Sequence, residues 1–320
     1  MRTDAEWMEA AARLSLRARP MCNPNPNVGC LIVKRDVVLA RGWTQATGRP
    51  HAEAHALSHL EKDEVTGSTV YVTLEPCAHR SDRGPCCADI LAQAKPARVV
   101  IGVNDPDVRT AGAGQEVLNA AGIEVDVLDH RAAYESLSGF FVRQKYHRPY
   151  ITIKLAMSED GFISQKNAAD KWITQKLARN HVHTQRAKQD GILVGRSTWD
   201  EDKPSLDVRL PGLEGRSPKR YMLTKHKAPE NVTSIASLDE VYGMDTVQYL
   251  YIEGGASTAQ SFYEEGLVDQ IDIYTAPYQI GNGIRAPDPF HPLNLEASPE
   301  WELTERRQLG SDCLTVYRRI

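Results

Sequence analysis

A predicted strand that ends in a proline and a cysteine is the feature that most constrains this chain. The segment Ser68–Pro76 has the β-branched, apolar composition of a buried strand, and Cys77 directly follows the proline that ends it. Two further cysteines, Cys86 and Cys87, stand side by side shortly afterwards. Three cysteines so placed can form a disulfide, a structural metal site or one wall of an active site.

The cysteine-bearing strand lies in a region where strand and helix signals alternate. Gly29–Trp43 predicts two strands joined by a turn, and His51–Lys62 has the apolar spacing of a helix. Ala97–Val103 predicts another buried strand. This alternation indicates a layered α/β domain.

The length of 320 residues is too great for one hydrophobic core, so we expect two domains. The polar stretch Arg143–Tyr150 predicts the boundary, which gives domains at 1–146 and 147–320. The second half begins with a long predicted strand, Tyr150–Ser164, and again alternates helix and strand signals. It is therefore predicted to be α/β as well.

Charge and composition exclude several classes of protein. The net charge is −4 and no apolar run approaches the roughly 18 residues of a membrane helix, which argues against nucleic-acid and membrane proteins. The charged N-terminus predicts an amphipathic helix with a capping box between Thr3 and Glu6 rather than a signal peptide. Six cysteines in a chain of this length favour a reducing, cytoplasmic compartment, where Cys22, Cys30 and Cys313 would fill small apolar sites.

A histidine and a glutamate upstream give the cysteines a catalytic interpretation. His51 and Glu53 form an H-x-E pair at the start of a predicted helix, and the P-C pair with Cys77 follows. One histidine and two thiolates leave the fourth position of a tetrahedral Zn²⁺ open to water, as in catalytic sites. Glu53 is then placed as the proton carrier between water and a departing amine. From the residues alone, the second thiolate is either Cys86 or Cys87.

With these motifs the chain resembles the RibD family of riboflavin biosynthesis, in which a pyrimidine deaminase is fused to a reductase. The resemblance covers nearly the whole chain, through "NPNPNVGCLIV", "PHAEAHAL", "VYVTLEPCAH" and "GPCC" in the first half. In the second half it rests on "YITIKLAMSEDG", "KWIT", "DKPSLDVR" and "YIEGGASTAQSFYEEGL". It implies a cytidine-deaminase-like α/β/α layered domain followed by a dihydrofolate-reductase-like α/β domain.

The resemblance also implies two successive reactions on small phosphoribosyl pyrimidines. The first is the zinc-dependent hydrolytic deamination of 2,5-diamino-6-(5-phosphoribosylamino)pyrimidin-4-one. The second is the NADPH-dependent reduction of the ribosyl group of 5-amino-6-(5-phosphoribosylamino)uracil to ribityl. Neither nucleic acid nor a membrane is an expected partner, and a homo-oligomer stays open.

For the deaminase half, the resemblance implies one zinc ion per chain, bound by His51, Cys77 and Cys86. It places Asn25, His79 and Asp105 at the substrate, and either Arg83 or Arg80 is expected to supply the positive charge near the ribose phosphate. Two positions depart from the family pattern, because Asp82 stands where a lysine or arginine is usual and Asp107 where an asparagine is usual.

For the reductase half, two turns are candidate phosphate cradles, in Val194–Asp202 and Ile252–Thr258, because each exposes backbone N–H groups after a strand. Lys225 is a further candidate, for the 2′-phosphate of NADPH. The resemblance places NADPH along Ala156, Trp172, Thr198, Asp202, Gly255, Ala256, Ser257, Thr258, Ala259, Gln260 and Ser261. It places the substrate along Arg186, Leu206, Arg209, Glu253 and Asp170. At position 170 the family usually has serine. Lys154 on the long strand is expected to frame the same pocket.

Two other functions stay open at this point. The chain could be a nucleic-acid or nucleoside deaminase with an appended domain, against which the net charge of −4 argues. It could also be a RibD-like protein with one inactive half. Asp82, Asp107 and Asp170 favour that alternative, because each adds negative charge near an expected phosphate site.

Overall fold

The computed structural model describes residues 2–79, 84–107, 111–165 and 172–320. The chain forms two compact units, Met1–His147 and Arg148–Ile320. The division falls inside the polar stretch at 143–150, and each unit has its own hydrophobic core. No helix in the described ranges is long and apolar enough to cross a membrane.

The first unit is built on a five-stranded sheet with the strand order β2-β1-β3-β4-β5. β1 pairs antiparallel with β2 and β3, whereas β3, β4 and β5 are parallel. The strands are β1 (Gly29–Lys34), β2 (Val37–Trp43), β3 (Thr69–Leu74), β4 (Arg98–Val103) and β5 (Glu124–Val127). The helices are α1 (Asp4–Ser15), α2 (Ala52–Leu57), α3 (Lys62–Val65), α4 (Cys87–Ala94), α5 (Ala113–Ala120), α6 (Arg131–Ser136) and α7 (Ser138–Tyr146).

The predicted N-terminal helix is confirmed, together with its capping box. The Thr3 side chain accepts a hydrogen bond from the Glu6 N–H, and the Glu6 carboxylate accepts one from the Thr3 N–H. Trp7, Met8 and Ala11 recur at helical spacing and are buried in the core of the sheet. The apolar face of α1 therefore covers the sheet.

A glycine sets the close approach of α2 to the sheet. A Cβ at Gly42 in β2 would lie 2.0 Å from the backbone oxygen of Ala52 and 2.9 Å from Cβ of Ala56. Only glycine leaves room for a helix at that distance. Because α2 carries Glu53 and begins directly after His51, this contact fixes the position of one side of the candidate site.

The second unit contains an eight-stranded sheet with the order β10-β9-β8-β11-β6-β12-β15-β14. The strands from β10 to β12 are parallel, and β15 and β14 extend the sheet antiparallel. β13 pairs with β7 in a separate ribbon.

The strands of this unit are β6 (Tyr150–Ser158), β7 (Phe162–Gln165), β8 (Gly191–Gly195), β9 (Lys219–Leu223), β10 (Thr233–Ile235), β11 (Tyr249–Ile252), β12 (Gln270–Ala276), β13 (Gly283–Arg285), β14 (Trp301–Leu309) and β15 (Asp312–Arg319). The helices are α8 (Lys176–Arg186), α9 (Arg196–Asp202), α10 (Ala256–Glu264) and α11 (Pro292–Ala297). The α/β pattern predicted from the sequence is confirmed in both halves.

Candidate active sites

Three side chains of the first unit form a cluster suited to a metal ion. His51 is the N-cap residue of α2, Cys77 lies shortly after β3, and Cys87 is the first residue of α4. Nδ1 of His51 lies 3.2 Å from Sγ of Cys87 and 3.5 Å from Sγ of Cys77. The three candidate ligand atoms all lie within 4.8 Å of one another. The stretch that contains Cys77 and Cys87 therefore forms one side of the candidate metal site.

This cluster differs from the predicted ligand set at one position, because it contains Cys87 where Cys86 was predicted. Cys86 is the N-cap residue of α4, with extended backbone, and Cys87 is the residue after it. Successive side chains at a helix start point in directions about 100° apart, so only one of two adjacent cysteines can face the same point. In this structure the backbone turns Cys87 toward His51, and its N–H lies 3.3 Å from Sγ of Cys77.

The three donors fit a zinc ion. With Zn–N and Zn–S bonds of about 2.0 and 2.3 Å in a tetrahedron, the nitrogen and a sulfur stand about 3.5 Å apart. The separations of 3.2 and 3.5 Å measured from His51 are close to this value. A hydrogen bond from the Cys87 side chain lowers the pKa of Cys77 to about 4, which favours the thiolate form that zinc requires. Hydrogen bonding to Cys77 in turn raises the pKa of His51.

Glu53 lies beside the cluster without belonging to it. Its side chain is buried, with 3% exposure. Burial, followed by the charge of Cys77, raises the pKa of Glu53. A carboxyl group with a raised pKa beside a metal site can both accept and return a proton near neutral pH.

The cluster opens into a cavity of about 600 Å³. Three of the predicted substrate residues line this cavity: Asn25, His79 and Asp105. Arg83 and Asp82 lie outside the described residues. The remaining lining residues are Pro26, Val28, Thr44, Arg49, His51, Glu53, Leu74, Glu75, Cys77, Asp107, Phe140 and Gln144. Of these, Arg49, Glu75, Phe140 and Gln144 were missed, although Arg49 precedes the P-H-A-E motif and Glu75 the P-C pair.

Glu75 organises the loop that carries Asp105 and Asp107. Its buried carboxylate accepts hydrogen bonds from the N–H groups of Asp105, Gly112 and Gly114, at 3.3, 3.1 and 3.1 Å. A Cβ at Gly114 would lie 2.0 Å from the backbone oxygen of Pro76, so this position requires glycine. The residue before the P-C pair therefore fixes the part of the cavity wall that carries Asp105 and Asp107.

In the second unit, the two predicted phosphate turns lie next to each other. Oγ1 of Thr198, in α9, accepts a hydrogen bond of 3.0 Å from the N–H of Gly255, the N-cap residue of α10. A Cβ at Gly195 would lie 2.2 Å from Oγ1 of Thr258, so the strand end before α9 packs directly against α10. Two helices thus begin side by side, and their N-terminal N–H groups can hold the phosphates of a dinucleotide.

The other predicted NADPH residues differ in their exposure and in the elements that carry them. Ser257 and Gln260 are exposed on α10, whereas Ala259 is fully buried in the hydrophobic core, so its side chain cannot face a cofactor. Lys225 follows β9 and is exposed. The predicted residues Ala156, Asp202, Ala256 and Ser261 lie on β6, α9 and α10. Trp172 is 58% exposed, and the guanidinium carbon of Arg179 lies 5.0 Å from its ring centroid.

The predicted reductase substrate residues form a polar cluster. Arg186 and Glu253 are joined by two hydrogen bonds of 2.6 and 2.9 Å, and Nζ of Lys154 lies 3.9 Å from the same carboxylate. Arg186 also donates to the backbone oxygen of Asp207, which lies on the loop with Arg209. Burial is the largest influence on Glu253 and opposes its ionisation, but the charge and hydrogen bonds of Arg186, together with the charges of Lys154 and His183, outweigh burial and lower the pKa.

The remaining predicted residues of this group differ in burial and in whether the structure describes them. Leu206 is 2% exposed and packs in the hydrophobic core, so it anchors the loop that carries Asp207 and Arg209 rather than facing a substrate. Burial lowers the pKa of Lys154, which makes its ammonium a better proton donor. Asp170 lies outside the described residues.

Known protein families and relatives match both halves of the chain. The family model described as "Cytidine and deoxycytidylate deaminase zinc-binding region" matches residues 1–103, and that of the "RibD C-terminal domain" matches residues 149–315. The riboflavin biosynthesis protein RibD of Escherichia coli is 32% identical, covering 97% of this chain and 98% of that protein. The RibD of Aquifex aeolicus is 30% identical and covers 99% and 98%.

Solved structures give the same result. Acinetobacter baumannii RibD, form 1, superposes with a TM-score of 0.83 at 30% identity over 99% of both chains. A Thermotoga maritima protein described as a diaminohydroxyphosphoribosylaminopyrimidine deaminase and 5-amino-6-(5-phosphoribosylamino)uracil reductase gives 0.85 at 27% identity, also over 99% of both. The chain belongs to the RibD family of bifunctional riboflavin-biosynthesis enzymes, which join a zinc-binding deaminase domain to an NADPH-using reductase domain.

Proposed function

We propose that the first domain deaminates 2,5-diamino-6-(5-phosphoribosylamino)pyrimidin-4-one and that the second reduces the ribosyl group of the product to ribityl. The observation that carries the first reaction is the cluster of His51, Cys77 and Cys87 at the end of a cavity, with a buried Glu53 beside it. The adjacent turns at Thr198 and Gly255 support the second.

In the deaminase domain, we assign zinc to His51, Cys77 and Cys87, because these are the donors at ligand distance from one another. Zinc, when bound, supplies a Lewis acid that makes water nucleophilic near neutral pH. Glu53 moves the proton from water to the departing amine, since its raised pKa suits both transfers. Asn25 and Asp105, which both line the cavity, orient the pyrimidine.

In the reductase domain, we assign the NADPH phosphates to the N-terminal N–H groups of α9 and α10. NADPH, when bound, supplies the reducing electron pair. Lys154, Glu253 and the loop with Arg209 orient the substrate, and we assign to Lys154, 3.9 Å from Glu253 and with a pKa lowered by burial, the donation of a proton to the sugar oxygen. Both domains act on small molecules, and the low cysteine content, six in 320 residues, supports a reducing, cytoplasmic setting.

The direct test is to purify the full chain, measure its zinc content and follow the two half-reactions separately. We expect about one zinc per chain, release of ammonia from the diaminopyrimidine without NADPH, and oxidation of NADPH by the deaminated intermediate. Release of ammonia from RNA or cytidine instead would show a different deaminase. Absence of one half-reaction in a zinc-loaded protein would show a chain with one inactive domain.

A further inference from the structure

The deaminase cavity has an uneven distribution of charge. Among the described residues that line it, four carry carboxylates, namely Glu53, Glu75, Asp105 and Asp107, whereas Arg49 alone carries a permanent positive charge. A substrate that bears a phosphate would be repelled from most of these walls, so its phosphate has few places to lie.

The position of Arg49 suits such an anion. The side chain is half-buried at the cavity wall, two residues before the zinc-site residue His51. Its Nη1 lies 3.5 Å from the point where a Cβ on Gly84 would be, so the guanidinium reaches the loop that runs from Cys77 to α4. Gly84 itself contributes no side chain at this contact, so the guanidinium meets only its backbone.

The chemistry of arginine matches the task. A guanidinium keeps its charge at every physiological pH and presents a planar set of donors that can bind a phosphate through two hydrogen bonds. The carboxylate of Glu75, which directly precedes the P-C pair, already accepts hydrogen bonds from three backbone N–H groups, those of Asp105, Gly112 and Gly114. Glu75 therefore has its own backbone donors and does not depend on Arg49 for hydrogen bonds.

We propose that Arg49 binds the phosphate of the phosphoribosyl substrate and so selects nucleotide over nucleoside in the deaminase cavity. This inference rests on the proposed deamination reaction and adds a specificity-determining residue to it. Arg49 takes no part in the chemistry at the amine, so its removal affects KM and leaves kcat nearly unchanged.

The experiment compares the diaminopyrimidine nucleotide with the same compound after phosphatase treatment, on the zinc-loaded full chain. We expect Arg49→Gln to raise KM for the nucleotide roughly 10- to 100-fold, the cost of one charge-assisted contact, and to leave kcat/KM for the nucleoside within about twofold of the wild type. Arg49→Lys keeps the charge but loses the two-bond geometry, so its KM for the nucleotide should lie between those of the wild type and Arg49→Gln. Inorganic phosphate should inhibit the wild type competitively and Arg49→Gln much less.

Arg41→Gln is the matched control, because Arg41 is exposed on β2 and is not among the lining residues. Arg41→Gln removes the same charge and should change neither the KM for the nucleotide nor the KM for the nucleoside. Equal losses of Arg49→Gln on nucleotide and nucleoside, or an unchanged KM for the nucleotide, would overturn the inference. If Arg49→Gln loses its zinc, Arg49→Lys decides, since the inference requires a higher KM for the nucleotide alone. Wild-type activity on the diaminopyrimidine tests the proposed reaction independently of all these variants.

Discussion

The guanidinium of Arg186 and the carboxylate of Glu253 face each other through two hydrogen bonds, Nε to Oε1 at 2.6 Å and Nη2 to Oε2 at 2.9 Å. Both side chains are largely shielded from water, with 11% and 9% exposure. Arg186 was predicted to meet the substrate, but its charge is largely matched by Glu253. The side chain of Arg209 is 55% exposed and lies 3.4 Å from Asp207, so Arg209 is the more accessible cation for a substrate phosphate.

Arg186→Ala should destabilise the reductase domain, because it leaves the carboxylate of Glu253 buried without its partner. Breaking a buried ion pair from one side typically costs about 3–5 kcal/mol. Urea unfolding of the full chain measures this loss. Glu253→Gln with Arg186→Met removes both charges and should recover much of the stability. A single Arg186→Ala variant as stable as the wild type would show that the pair is not a structural element.

Arg209→Ala should weaken the reduction and leave the deamination intact. Loss of one charge-assisted contact to phosphate corresponds to roughly 10- to 150-fold in kcat/KM. Because the side chain is exposed, its removal should change the free energy of unfolding by less than about 1 kcal/mol. The two half-reactions are measured separately. Equal loss of deamination would mean that the two sites are not independent.

A matched pair of variants identifies the second zinc thiolate. From the geometry of the cluster we expect Cys87→Ser to lose zinc and deaminase activity, and Cys86→Ser to keep both. Metal analysis after dialysis, together with ammonia release, gives the answer. The spacing of the family motif favours the reverse result, and a metal-free Cys86→Ser protein with a zinc-loaded Cys87→Ser protein would establish Cys86 as the ligand.

Glu53→Gln should retain zinc, because Glu53 is not part of the ligand cluster, and should lose deamination by at least about 100-fold. The same variant should still oxidise NADPH when it is given the deaminated intermediate, since the reductase residues belong to the other compact unit. Near wild-type ammonia release from this variant would exclude Glu53 as the proton carrier.

Asp272 should make the stability of the reductase domain depend on pH. Its carboxylate accepts hydrogen bonds from Tyr251 and Gln270, yet burial raises its pKa from 3.8 to about 6. The folded state thus holds a proton between these values that the unfolded state has released. Stability is therefore highest below pH 3.8 for this group and falls as the pH rises toward 6, by about 3 kcal/mol in total.

Asp272→Asn keeps the shape and removes the charge. Calorimetry of the two full-length proteins between pH 4 and 7 should show the variant gaining stability over the wild type as the pH rises. A constant difference across this range would mean that Asp272 titrates alike in the folded and unfolded states.

The local chemistry of the chain was largely predictable from its sequence. Thr3 and Glu6 are close enough along the chain to define a capping box, and the strand before Cys77 was evident from its β-branched residues. The H-x-E pair and the P-C pair likewise indicate a metal site from the sequence alone. Each of these signals depends on residues that are neighbours in sequence or on a strong periodicity.

Tertiary packing decided the rest. The difference between Cys86 and Cys87 is one step of backbone rotation at the start of α4, which spacing alone cannot determine. Arg49 and Glu75 flank the motifs without being part of them, and only the fold brings the one to Gly84 and the other to Gly114. The pairing of Arg186 with Glu253 joins residues far apart in the chain, so no local pattern could show that one predicted substrate cation is already matched by a carboxylate.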